Sequence, residues 1–123
     1  MQESGEMHLE TILVLSRKGT PVRSLDVARE LCVSRPSVSR AMAILKNGKY
    51  VLIDEQGYIT LSESGLKIAE KIYERHIVLS KFLMNMGVSE ETAEKDACRI
   101  EHIISDDAFD KSKSHIKDKD QNR

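Results

Sequence analysis

The stretch "SLDVARELCVSRPSVSRAMAILKNGKYVLIDEQGYITLS", residues 24–62, decides the fold. Ser24 reads as the cap of a short helix in which Leu25, Val27, Ala28 and Leu31 turn inward, ending near Cys32-Val33. Ser34 caps the next helix, with Arg35 and Pro36 in its first turn, where the missing proline N–H costs little. Val38, Met42 and Leu45 form its apolar stripe with Ala41 beside them, and Gly48 is placed to end it. Two β-branched and aromatic runs, 50–53 and 58–61, then flank a turn holding Asp54 and Gly57. That pattern predicts a hairpin with Gly57 in the left-handed conformation.

Upstream, residues 6–18 set Leu9, Ile12 and Leu13 at helical spacing, and Gly19-Thr20-Pro21 stops the run. Three helices followed by a hairpin, in that order, describe a winged helix-turn-helix. In such a unit the third helix enters the major groove N-terminus first, while the hairpin reaches along the phosphate backbone. The expected class is mainly α: this winged unit over residues 1–62, followed by a second helical domain.

Charge supports the same reading. Net charge is −1, but between residues 17 and 49 eight basic residues face only Asp26 and Glu30. Residues 89–110 reverse the balance, with eight acidic residues against Lys95 and Arg99. One region suits a polyanion and the other suits cations. On the third helix the face opposite the apolar stripe carries Arg35, Ser37, Ser39, Arg40 and Lys46, with Pro36 in the first turn. These six residues are the candidate contacts to double-stranded DNA. Arg40 would hold guanine or phosphate, and Pro36 would rest against a thymine methyl.

With 123 residues, 40% of them hydrophobic and 32% charged, the chain suits one domain with a small appended lobe. No run approaches the roughly 20 apolar residues of a membrane span. The start lacks the features of a secretory signal. Cys32 and Cys98 lie far apart with no framework spacing, as expected of a reduced, cytoplasmic protein.

The second half opens with a long helix from Ser62 to about Met86, with Leu66, Ala69, Tyr73, Ile77 and Leu83 near one face. Gly87 stops it, and Ser89 caps the next helix, whose acidic first turn suits the helix dipole. In "KDACRIEHIIS", residues 95–105, Cys98, Glu101 and His102 stand at i, i+3 and i+4 and so share a helix face, with Glu94 one turn earlier. Sulfur, imidazole and carboxylate together suit a transition metal better than Mg²⁺ or Ca²⁺. The same spacing also fits an ordinary helix with a small buried cysteine and two solvated polar residues. A short helix follows Ser105. The polar end, residues 111–123, reads as a disordered tail.

Taken together, "EMHLETILVLSRKG", "VSRPSVSRAMAIL", "ERHIVLSKFL" and "DACRIEHIISD" resemble the diphtheria-toxin-repressor family of metal-dependent transcriptional repressors, over about residues 6–110. The resemblance implies a homodimer that binds palindromic operators when loaded with divalent metal. For the iron-responsive branch it implies a primary site of Met7, Cys98, Glu101 and His102, all present. Of that branch's ancillary site only His76 is kept; Ser80 and Glu94 replace a glutamate and a histidine. The manganese-responsive branch implies a second site through Glu10, His76 and Glu101. The expected arrangement is therefore mixed: the primary set, and a second site from Glu10, His76 and Glu94 sharing Glu101.

Thioether and thiolate donors favour Fe²⁺ over Mn²⁺, with Zn²⁺, Co²⁺ or Ni²⁺ as substitutes in vitro. Larger members continue into an SH3-type barrel, for which nothing after residue 110 has the strand content. Residues 63–110 are then the metal-binding and dimerisation domain. The alternative is a winged-helix regulator that is metal-independent or senses thiol oxidation through Cys98. No paired CxxC, His-Glu-x-x-His or Gly-rich phosphate loop occurs, and no further nucleophile–base set suggests an enzyme.

Overall fold

Ser34 does what its position predicts: its Oγ accepts the backbone N–H of Ser37 at 3.2 Å and starts a helix with proline in the first turn. Eight elements follow from such local signals in the computed structural model, which describes residues 1–121. They are α1 (Glu3–Ser16), α2 (Ser24–Leu31), α3 (Arg35–Asn47), β1 (Val51–Ile53), β2 (Ile59–Leu61), α4 (Glu63–Asn85), α5 (Glu90–Ile100) and α6 (Asp106–Gln121).

The first unit spans Met1–Glu70 and is the winged helix-turn-helix. Cys32, not a glycine, turns the corner after α2 with φ +57°, and Val33 N–H closes on the Ala28 carbonyl at 3.1 Å. This left-handed cap frees Ser34 to begin α3. Leu9, Ile12, Val27, Val38, Met42 and Leu45 bury the inner faces of the three helices. The wing pairs Val51 with Leu61, Leu52 with Thr60 and Ile53 with Ile59. Val51 and Ile59 point into the core while Leu52 is exposed, the alternation that a two-stranded sheet packed on one side requires. Asp54 closes the turn by accepting the N–H groups of Gln56 and Tyr58, both at 2.9 Å, and Gly57 takes φ +84°. Ile59 also donates to the Val22 carbonyl at 2.7 Å, so the wing is tied to the segment before α2.

The second unit begins at Lys71 and is helical among the described residues. Its core gathers Leu79 of α4, Ala97 of α5 and Phe109 of α6, with Val78, Ile100 and Ile104 against them. Ser89 caps α5 and Ser105 caps α6 through the N–H groups of Thr92 and Ala108. No helix among the described residues is long and apolar enough to cross a membrane.

Several details depart from the expectations. Arg23 is the cap residue of α2, and its own N–H donates to Asp26 at 2.8 Å, so Ser24 becomes the first helical residue. Gly48 ends α3 in a helical conformation and Lys49 takes the positive φ of +65°. The buried stripe of α4 runs through Ile72, Arg75 and Leu79, whereas Ile77 is exposed. The division between units falls inside α4, after Glu70, not before the helix. The charged segment expected to be a disordered tail from residue 111 instead continues α6 to Gln121. Ile116, buried on that extension, supplies the apolar anchor that a composition count overlooks. Residues 122 and 123 of that expectation lie outside the described residues.

Where the wing meets α4, Ser62 donates its N–H to the Tyr50 carbonyl at 3.0 Å, and that carbonyl lies 2.0 Å from the place a Cβ on Gly65 would occupy. Backbone oxygen cannot retreat as a flexible side chain could. Gly65→Ala is expected to destabilise the protein by about 2–3 kcal/mol, at the upper end for an overpacked site, read from the midpoint of urea unfolding.

Candidate metal centre

The carboxyl end of α5 gathers the polar side chains singled out in the sequence. Cys98 lies in the last turn of α5, partly buried. Glu101 is the C-cap; it keeps helical torsions (φ −58°, ψ −27°), and its N–H still bonds to the Ala97 carbonyl at 2.9 Å. The i, i+3 relation between Cys98 and Glu101 therefore survives past the last helical residue. His102 stands in the turn that follows. The side chains of Glu101 and His102 are both fully buried.

Burying a carboxylate is costly unless it is paired, and Glu101 is paired from α4. Its Oε2 accepts from His76 Nδ1 at 2.8 Å. Facing an ionised carboxylate, the ring donates through its Nδ1–H. The second oxygen, Oε1, lies 3.4 Å from His102 Nε2 and makes no hydrogen bond within the protein. A fully buried carboxylate with one bonded and one unbonded oxygen, set beside an imidazole, leaves an oxygen lone pair that a cation could take up. The donors within this unit are sulfur, oxygen and nitrogen, which fits a transition metal. Among the described residues no three His, Cys, Asp or Glu side chains converge into a ready-made cage; the arrangement consists of pairwise contacts.

The remaining candidates divide between the units. His76, Glu94, Cys98, Glu101 and His102 belong to the second unit, Met7 and Glu10 to the first. Met7 and Glu10 occupy one side of α1 at i, i+3, both partly buried. Glu94 sits exposed on α5, seven residues before Glu101. Ser80, one turn beyond His76 on α4, is buried, and its hydroxyl makes no hydrogen bond within the protein. Cys32 and Cys98 form no disulfide.

Arg75 was not singled out, yet it holds the same turn. Its guanidinium donates to the carbonyls of Glu101 at 3.2 Å and Ile104 at 2.8 Å, and pairs with the Asp106 carboxylate at the start of α6. The signal was present: Arg75 falls three residues after Ile72 and four before Leu79, on the buried stripe of a helix. An arginine there must find acceptors within reach.

In the first unit, Arg35, Pro36, Ser39, Arg40 and Lys46 are exposed on α3. Ser37 is partly buried and takes part in the cap: its hydroxyl accepts from Ser34 Oγ at 2.9 Å and from Arg40 at 3.4 Å.

Residues 62–121 match the model of the iron-dependent repressor metal-binding and dimerisation domain. The regulator MntR of Geobacillus kaustophilus is 32% identical over 108 residues, which cover 88% of this chain and 77% of MntR. The chain belongs to the diphtheria-toxin-repressor family of metal-dependent transcriptional regulators. An uncharacterised HTH-type transcriptional regulator of Methanocaldococcus jannaschii is 32% identical over 115 residues, 92% of both chains. Among solved structures, the manganese regulator SloR superposes with a TM-score of 0.83 at 26% identity over 92% of this chain. This chain spans about half of SloR, 53% of its length. A family member is thus recognisable in both units: the winged head by shape, the helical unit by its domain match.

Glu101 separates charge from shape. Glu101→Gln keeps an acceptor for His76 and should leave metal-free stability within about 1 kcal/mol of the parent, whereas Glu101→Ala should cost roughly 2–3 kcal/mol by stranding buried polar partners. Urea unfolding in the presence of chelator measures both.

Proposed function

We propose that this chain is a metal-activated repressor that binds palindromic operator DNA as a homodimer when loaded with Fe²⁺ or a similar divalent ion. The observation that carries the proposal is Glu101, a fully buried carboxylate between two imidazoles at the end of a helix bearing Cys98. Residues that hold the metal are Cys98, Glu101 and His102, with Met7 from the other unit. Glu10 and His76, sharing Glu101, form the second site, for which Glu94 is the further ligand. Metal bound here neutralises the buried negative charge and polarises the donors' protons away, so loading releases protons and weakens as pH falls.

The donors favour Fe²⁺, since a thiolate and a thioether are softer than the oxygen ligands that suit Mn²⁺. SloR is a manganese regulator, and Mn²⁺ is the competing activator. The metal then selects the arrangement in which two recognition helices match half-sites about one turn apart. The exposed apolar residues Ile77, Met84, Met86 and Ile103 of the helical unit supply surface for the homodimer. Cytoplasmic residence follows from this role.

The deciding experiment selects operator fragments from a palindromic DNA pool with Fe²⁺, anaerobically and under reducing conditions, then repeats the binding with chelator and with Mn²⁺. Retention that collapses on chelation supports the proposal. Metal-independent binding, or an undiminished response in the Cys98→Ala, Glu101→Ala double variant, overturns it in favour of a metal-independent or thiol-sensing regulator. On such fragments, Lys46→Ala should weaken binding evenly across sequences and lower the salt slope by about 1, while Arg40→Ala, if it reads a base, should cost about 1–3 kcal/mol at one position. Fluorescence anisotropy against salt separates the two.

A further inference from the structure

Arg75 and His76 are consecutive on α4, and both close on one residue across the unit. His76 takes the Glu101 carboxylate while Arg75 takes the Glu101 main-chain carbonyl. Side chain and backbone of the same residue are thus fixed by two adjacent positions on one helix. The Arg75 side chain is 7% exposed, and its charge is met by two carbonyls and by Asp106. Its guanidinium also lies 5.3 Å from the centre of the Phe109 ring on α6. The Glu101 carbonyl belongs to the cap at the carboxyl end of α5, where the helix dipole favours a cation, and the Ile104 carbonyl lies at the far end of the turn that leads into α6.

We propose that Arg75 is a positioning residue for the metal centre, setting the conformation of the Glu101–Ile104 turn and thereby the aim of the Glu101 and His102 side chains. The inference rests on the metal-site reading above. Without the fork, Glu101 keeps its side-chain contact to His76 but loses the anchor on its backbone, and His102 follows the same turn. Lysine can carry the charge but cannot reach two carbonyls and a carboxylate from one planar group. Asp106, 74% exposed, acts by orienting the guanidinium and adds little stability on its own.

The test titrates the full chain with Co²⁺, anaerobically, following the thiolate-to-cobalt absorption. It compares the parent with Arg75→Lys, Arg75→Gln and the control Lys113→Gln. Lys113 is partly exposed and bonds to Glu74, whose hydrogen bond and charge hold the ammonium above its ordinary pKa. Circular dichroism establishes which variants fold. Folded Arg75 variants should bind Co²⁺ roughly 10–100-fold more weakly with an altered absorption band, as loss of an outer-shell partner does. Lys113→Gln should match the parent. Parent-like affinity and spectrum in a folded Arg75 variant would overturn the proposal. Should neither fold, Asp106→Asn decides: weakened binding supports the role, and unchanged binding and spectrum refute it. Absence of Co²⁺ binding by the parent itself would instead remove the metal-site reading, and this inference with it.

Discussion

The buried Glu101 carboxylate is the constraint around which the helical unit is arranged. A carboxylate removed from water must recover its solvation from fixed partners. Glu101 does so through His76 on one oxygen, while its own backbone carbonyl is held by Arg75. Both partners are adjacent residues of α4, and Arg75 lies on the stripe that also buries Ile72 and Leu79. Apolar packing and polar pairing therefore fix the same helix rotation. The small side chains Ala93 and Ala97, both fully buried, give the carboxyl end of α5 its close seat.

The winged unit solves a different problem. Its third helix shows a polar, cationic face to solvent while burying the opposite face, with Val38, Met42 and Leu45 inward and Arg40 and Lys46 outward. The turn before it is compressed by a left-handed cysteine and a serine cap, so the two helices are set at a fixed angle by three residues. The wing is short and would be marginal alone. It is held by Ile59 on both sides: to Ile53 in the hairpin and to Val22 before α2.

Much of this was legible in the chain because the signals were local. The Ser34 and Ser89 caps, the Gly57 turn and the stop at Gly87 each depend on a few adjacent residues. Helical spacing placed Cys98 and Glu101 on one face. The family resemblance is what relates Met7, Glu10 and His76 to them, since no local rule connects residues so far apart in the chain. Misreadings came where a local rule meets a long-range contact. The end of the chain has a disordered composition, yet Phe109 and Ile116 are buried along α6, which runs to Gln121. Ile77 has the character of a core residue, but rotation of α4 gives its place to Arg75.

By itself the sequence determined the order of elements, the basic face of α3, and the presence of sulfur, nitrogen and oxygen donors at helical spacing, since each follows from neighbours along the chain. Only the tertiary structure decided which of those donors are buried, that His76 meets Glu101 across 25 residues of chain, and that Arg75 binds the backbone of the same turn. Pairing across helices depends on their rotation and separation, which packing of the whole core settles. No single segment carries that information, because the cost of burying Glu101 is met only when α4 and α5 are in place together.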